Sequence, residues 1–108
     1  MTNPNRTTDR SWHPAPTLGV TYAILRSHGD GEGTTLITRF AAGTRGGHHH
    51  HPGGEELLIL EGECEVSGIR LSQGDYLYTP PREDHELAAL TDTTVFVQLP
   101  KLPIYGKE

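Results

Sequence analysis

The sequence of 108 residues holds one cysteine, Cys64. That excludes an internal disulfide framework and any zinc ribbon of paired cysteines, and Cys64 reads as a small buried residue rather than a reactive thiol. Basic clusters are also missing. Nine Lys and Arg stand against fourteen Asp and Glu, a net charge of −5, so nothing suits a phosphate backbone and nucleic acid is excluded as a partner. Long apolar runs are absent as well. The opening MTNPNRTTDRSWHPAP is polar and broken by proline, lacking the apolar centre of a signal peptide, and no later stretch reaches membrane length. Together these absences lead to the expectation of a cytoplasmic protein with no membrane partner. Core-forming residues are scarce, at 33% hydrophobic. A single domain of this size buries only about two thirds of its unfolded surface, so its core is expected to be thin and metal binding or dimerisation would support it.

Glycine and proline are plentiful, with 13 and 8 respectively. They punctuate the chain every ten to fifteen residues, and no segment carries sustained helical periodicity. Short strands are expected at VTYAILR (Val20 to Arg26), TTLITRF (Thr34 to Phe40), EELLILEGECEV (Glu55 to Val66, interrupted at Gly62), IRL (Ile69 to Leu71), DYLYT (Asp75 to Thr79), HELAAL (His85 to Leu90) and TTVFVQL (Thr93 to Leu99). This is the pattern of an all-β antiparallel sandwich or jelly-roll barrel. Residues 1–11 read as a flexible N-terminal arm and 12–108 as one β-barrel domain. LLIL, Leu57 to Leu60, is apolar on both faces. One face is expected in the barrel and the other beneath a second sheet or a second subunit, which makes a homodimer the expected assembly.

The stretch GTRGGHHHHPGGEELLILEG, Gly43 to Gly62, carries the chemistry. A histidine run by itself says little; a purification tag is normally terminal, and this run lies mid-chain. In an extended segment His49 and His51 share one face while His48 and His50 share the other, so only one pair can look inward. PGG then allows a sharp bend, and Glu55 opens the next strand with its carboxylate able to reach back. Thirty residues on, PPREDH brings His85. Two histidines, a carboxylate and a distant third histidine form a ligand set for a divalent transition metal that leaves positions for water or substrate. A second reading has the four as hydrogen-bonded core residues without metal, at a cost of several kcal/mol for an unpaired buried carboxylate. His13 and His28 read as surface loop residues, and Tyr76 and Tyr78, which share a face, as core or dimer packing.

These residues carry a resemblance to the cupins. The motif G-x5-H-x-H-x3-E-x6-G is met without a gap at Gly43, His49, His51, Glu55 and Gly62, and G-x5-P-x-G-x2-H-x3-N is met at Gly74, Pro80 and His85. The chain thus resembles a small single-domain cupin, and its texture is most similar to the cupin half of ChrR-type anti-sigma factors and to small metal-dependent dioxygenases. The resemblance covers about Trp12 to Leu99. It implies a cupin β-barrel, or double-stranded β-helix, with metal held inside by His49, His51, Glu55 and His85, and with His48 and His50 solvated or supporting. It departs from the motif at Arg82, where the family has glycine, and at Ala89, where it has asparagine. A non-glycine residue in a left-handed turn costs about 1 kcal/mol. No helical segment or His/Cys zinc motif precedes the barrel, so a lone module is expected rather than a two-domain anti-sigma factor.

Two functions follow from the resemblance. The first is a non-haem metal-dependent dioxygenase that binds Fe, Mn or Ni and acts on a small enolic, β-dicarbonyl or phenolic compound. The second is a non-catalytic module in which Zn sits in the same cage and a small-molecule ligand is sensed and reported to a partner protein.

Overall fold

The structure, a computed structural model, describes residues 2–29, 32–46, 53–83 and 85–100, with the backbone of two short strands at His49–His50 and Ile104–Tyr105. The one helical element among them is a 3-10 turn at Thr7–Asp9. No helix among the described residues is long and apolar enough to cross a membrane. Eleven strands follow: β1 (His13–Pro14), β2 (Val20–Ser27), β3 (Thr34–Phe40), β4 (His49–His50), β5 (Glu55–Glu61), β6 (Glu63–Val66), β7 (Ile69–Ser72), β8 (Tyr76–Thr79), β9 (Leu87–Ala89), β10 (Thr93–Leu99) and β11 (Ile104–Tyr105).

They assemble into a six-stranded sheet in the order β1-β2-β3-β10-β5-β8, a three-stranded sheet β7-β6-β9, and the pair β11-β4. Every ladder is antiparallel. The mostly non-consecutive order is that of a jelly roll, and it places the middle strands β10 and β5 against partners on both sides.

Alternation explains which residues make the core. Along β10, Thr93, Val95, Val97 and Leu99 are buried and the residues between them are half-buried. Along β5 the inward set is Glu55, Leu57 and Ile59. These pack against Cys64, Val66, Leu71, Leu87 and Ala89 of the smaller sheet, so the two inner faces share one thin core. The outward set of β5 has no such cover. Leu58 is 36% and Leu60 40% exposed, so of the two covers expected for LLIL, a second sheet among the described residues is not the one present.

Turns account for the strand ends. Ser67 and Gly68 both have positive φ, 49° and 85°, the two-residue primed turn whose twist suits the β6–β7 hairpin. At Gly62, φ is 90° and a Cβ would stand 2.1 Å from the Asp92 carbonyl oxygen, so only glycine fits the break between β5 and β6. The regular ladder of β9 begins at Leu87 rather than at His85. The preceding turn has Arg82 at φ 69°, and His85 makes only an isolated bridge. Trp12 stacks on Arg39 of β3, whose guanidinium carbon lies 3.9 Å from the ring centre, tying the N-terminal segment to the large sheet.

Candidate functional site

Glu55 sits inside because it keeps the parity of Leu57 and Ile59. Its cross-strand partner is Thr79 at the end of β8. From there the chain reverses through Pro80, Pro81 and Arg82 and brings His85 back to the same place. His85 Nε2 lies 3.2 Å from Glu55 Oε1, with side chains 6% and 8% exposed respectively. The other ring nitrogen, Nδ1, is 3.3 Å from Thr79 Oγ1. Glu55, Thr79 and His85 therefore form one connected cluster in which the threonine opposite the carboxylate also orients the imidazole that meets it.

The cluster borders a cavity of about 820 Å³ between the sheets. Its walls are mostly apolar, with Leu36, Leu57, Val95 and Val97 among them. Pro14, Ala15, Pro16 and Thr17 lie along the cavity as well, so the segment after Trp12 helps to close it. In this setting a carboxylate is costly unless paired, and the imidazole contact offsets part of that cost.

Of the four expected ligands, the structure brings Glu55 and His85 together. His49 belongs to β4, where its backbone pairs with Tyr105; its side chain, like the whole of His48 and His51, lies outside the described residues. Among the described residues no group of three or more His, Cys, Asp or Glu side chains converges.

The remaining candidates lie elsewhere. His13 is exposed on β1 with its ring 5.7 Å from that of Tyr22, and His28 Nε2 is 2.9 Å from Thr35 Oγ1. Cys64 is fully buried, and burial pushes its thiol up from 9.0. Tyr76 and Tyr78 are on the outer face, 56% and 50% exposed, not in the core. The Tyr76 hydroxyl donates to Glu56 Oε1 at 2.8 Å, which raises its pKa.

Two residues with a place in the site were not singled out in the sequence: Thr79 and Thr38. Thr38 is buried and lines the cavity. The signal for both was parity. Thr79 follows Leu77 by two residues, and Thr38 falls between Leu36 and Phe40 at the same spacing.

Over residues 4–103 the chain matches the family described as the ChrR Cupin-like domain. A search of curated protein sequences finds no match. Solved structures of the same fold include an RmlC-like cupin protein from Ralstonia eutropha JMP134, with TM-score 0.88 and 18% identity, covering 100% of this chain and 74% of that one. An acetylacetone dioxygenase from Acinetobacter johnsonii aligns with TM-score 0.83 and 16% identity over 100% of this chain and 78% of its own. At these identities the likeness is one of fold. The anti-sigma factor ChrR of Rhodobacter sphaeroides, solved in complex with SigE, aligns with TM-score 0.76 and 25% identity over 87% of this chain. The chain spans about half, 51%, of that protein. With the family matched from residue 4 to residue 103 and its jelly-roll sheets in place, this chain belongs to the ChrR Cupin-like domain family.

Proposed function

We propose that this cupin holds a divalent transition metal through His49, His51, Glu55 and His85 and acts as a dioxygenase on a small enolic, β-dicarbonyl or phenolic compound bound in the adjoining cavity. The observation that carries the reading is the buried Glu55–His85 pair at the wall of a mostly apolar cavity. The pair fits a metal. Ligand bonds of about 2.1 Å at angles between octahedral and tetrahedral put neighbouring donor atoms about 3.0–3.4 Å apart, and the observed separation is 3.2 Å. The contact of His85 Nδ1 with Thr79 is the support that a metal-binding imidazole typically receives on its other nitrogen.

Bound iron or manganese would supply the electron exchange with O2 that no side chain of the site offers. The chain's own residues do the rest. Thr79 fixes the ring of His85, Glu55 contributes negative charge, and Leu36, Leu57, Val95 and Val97 exclude water around the substrate. The test is to load the apoprotein anaerobically with Fe(II) or Zn(II) and offer a panel of β-diketones and hydroxylated aromatics while following oxygen with an electrode. Uptake with iron and none with zinc is the expected result. Compounds that shift the iron spectrum yet drive no uptake above the zinc control would overturn the dioxygenase reading.

A second reading is favoured by the family match and by the likeness to ChrR at 25% identity. Here the same residues hold zinc, and the domain binds a small acid or oxidised species and reports it to a partner protein. Protein purified from its native source with zinc and no iron would support this reading over the first.

A further inference from the structure

The described core contains three buried threonines: Thr38, Thr79 and Thr93. Two have their hydroxyls engaged within the protein. Thr79 meets His85, and Thr93 donates to the backbone carbonyls of Glu63 and Thr91. Thr38 is different. It is 9% exposed and lines the cavity, yet its hydroxyl has no hydrogen-bond partner among the described residues. Buried polar groups normally have a hydrogen-bond partner, and a hydroxyl on the cavity wall can take one from a ligand. Water in the cavity can meet this hydroxyl, but its inward neighbours along the wall, Leu36, Phe40 and Val95, are apolar. Tyr22, paired with Thr38 across the β2–β3 ladder, also lines the cavity.

The ladders give the position of Thr38 relative to the Glu55–His85 end. Thr38 pairs with Val95, and Val95 pairs with Ile59. Ile59 is four residues from Glu55 along β5, about 13 Å of strand. The row between them is Leu36, Val97 and Leu57, which are mutual partners. The cavity is therefore polar near both ends of this path and aliphatic between them.

Resting on the reading of this cavity as the ligand site, we infer that Thr38 is a second anchor, recognising a polar group on the far end of an elongated ligand. The ligand class is a molecule with an enolic or dicarbonyl head toward Glu55 and His85, an aromatic or aliphatic middle against Leu36, Val97 and Leu57, and a hydroxyl or carbonyl at its tail against Thr38. Thr38 acts in selection of the ligand and has no role in holding metal.

The probes are benzoylacetone and its para-hydroxyphenyl analogue, titrated calorimetrically into the full chain as purified, with metal content measured in the same samples. The wild type is expected to bind the hydroxylated compound about five-fold tighter, the ratio one net hydrogen bond gives. Thr38→Val should abolish the preference between the two compounds by weakening the hydroxylated one, and Thr38→Ser should restore it. Ligand-free Thr38→Val should melt no lower than the wild type, because the hydroxyl it loses has no partner among the described residues. Equal affinities in the wild type, an equal loss for both compounds in Thr38→Val, or failure of both to bind would overturn the inference. So would a lower melting temperature of Thr38→Val, which would place the hydroxyl in a bond within the protein. A sample that discriminates between the compounds yet carries no metal would sustain the role of Thr38 and overturn the metal-dependent function.

Discussion

Glu55 and His85, thirty residues apart in sequence, meet at 3.2 Å with both side chains more than nine-tenths buried. The approach requires two separate arrangements. Glu55 has to keep the inward parity of β5, and the chain after Thr79 has to turn tightly enough to return His85 to the strand it has just left. Breaking a buried ion pair by removing one member is typically worth about 3–5 kcal/mol. For this reason the identity of the ligands is better tested at the histidine run, where Glu55 and His85 stay intact.

His49→Ala is expected to lose bound metal, whereas His48→Ala should retain most of it. The two residues are neighbours in sequence and project to opposite faces of an extended segment. The five-residue interval after Gly43 in the cupin motif favours His49 and His51 as the proposed ligating pair. Elemental analysis of the two purified variants reads the outcome. Equal loss in both would remove the parity argument and open the alternative pair, His48 and His50.

Metal should raise the melting temperature near pH 8 and do so much less near pH 5. A ligand bound only by the native state stabilises it by mass action. Imidazoles bind metal only when neutral, so protons compete increasingly below the ordinary histidine value of about 6.5. Melting scans with and without a chelator at the two pH values check this. A chelator without effect at pH 8 would favour a metal-free hydrogen-bonded cluster.

Strands β3 and β10 have the bounds that the sequence suggests, because TTLITRF and TTVFVQL alternate apolar and polar residues and end at turns. Glu55 and His85 were legible through motif spacing. Thr79 and Thr38 were not, since threonine is an ordinary strand former and the partner of its hydroxyl depends on neighbours brought from distant segments. The same limit applies to Leu58 and Leu60. Alternation shows that they lie on the face opposite Leu57 and Ile59, but it carries no information on what stands against that face.

Cys64 should resist alkylation in the native protein and react at once on unfolding. Its side chain is fully buried, and only the thiolate is an effective nucleophile. Because desolvation raises the native pKa above the ordinary 9.0, the unfolded thiol ionises first as pH rises. The unfolded state then binds fewer protons, and stability falls with pH from about that value upward, while no such loss occurs below it. Iodoacetamide labelling with and without urea tests the first point. Urea midpoints at pH 8 and pH 10 for the wild type and Cys64→Ala test the second: the wild type should lose more across that interval than the variant. An equal loss would assign the alkaline instability to other groups.

Arg82 offers a test of how the turn that carries His85 is held. Its φ of 69° is left-handed, at the position where the cupin motif has glycine. An L side chain in that conformation costs about 1 kcal/mol, and Arg82 is exposed with no ion pair among the described residues. Pro80 and Pro81 stand on one side of it and the buried His85 on the other, so the backbone is expected to hold the turn. Arg82→Gly should relieve the backbone cost but regain about half of it through the greater freedom of glycine in the unfolded chain, for a net stabilisation of about 0.5 kcal/mol. Arg82→Ala keeps the Cβ and its penalty and should leave stability unchanged. Urea unfolding of both variants with a common slope reads the difference. Metal content should be unaffected in either, since the turn is already in the conformation that glycine prefers. If Arg82→Ala destabilises the protein while Arg82→Gly gains nothing, the guanidinium rather than the backbone holds the turn, and the position of His85 against Glu55 depends on a contact made by that side chain.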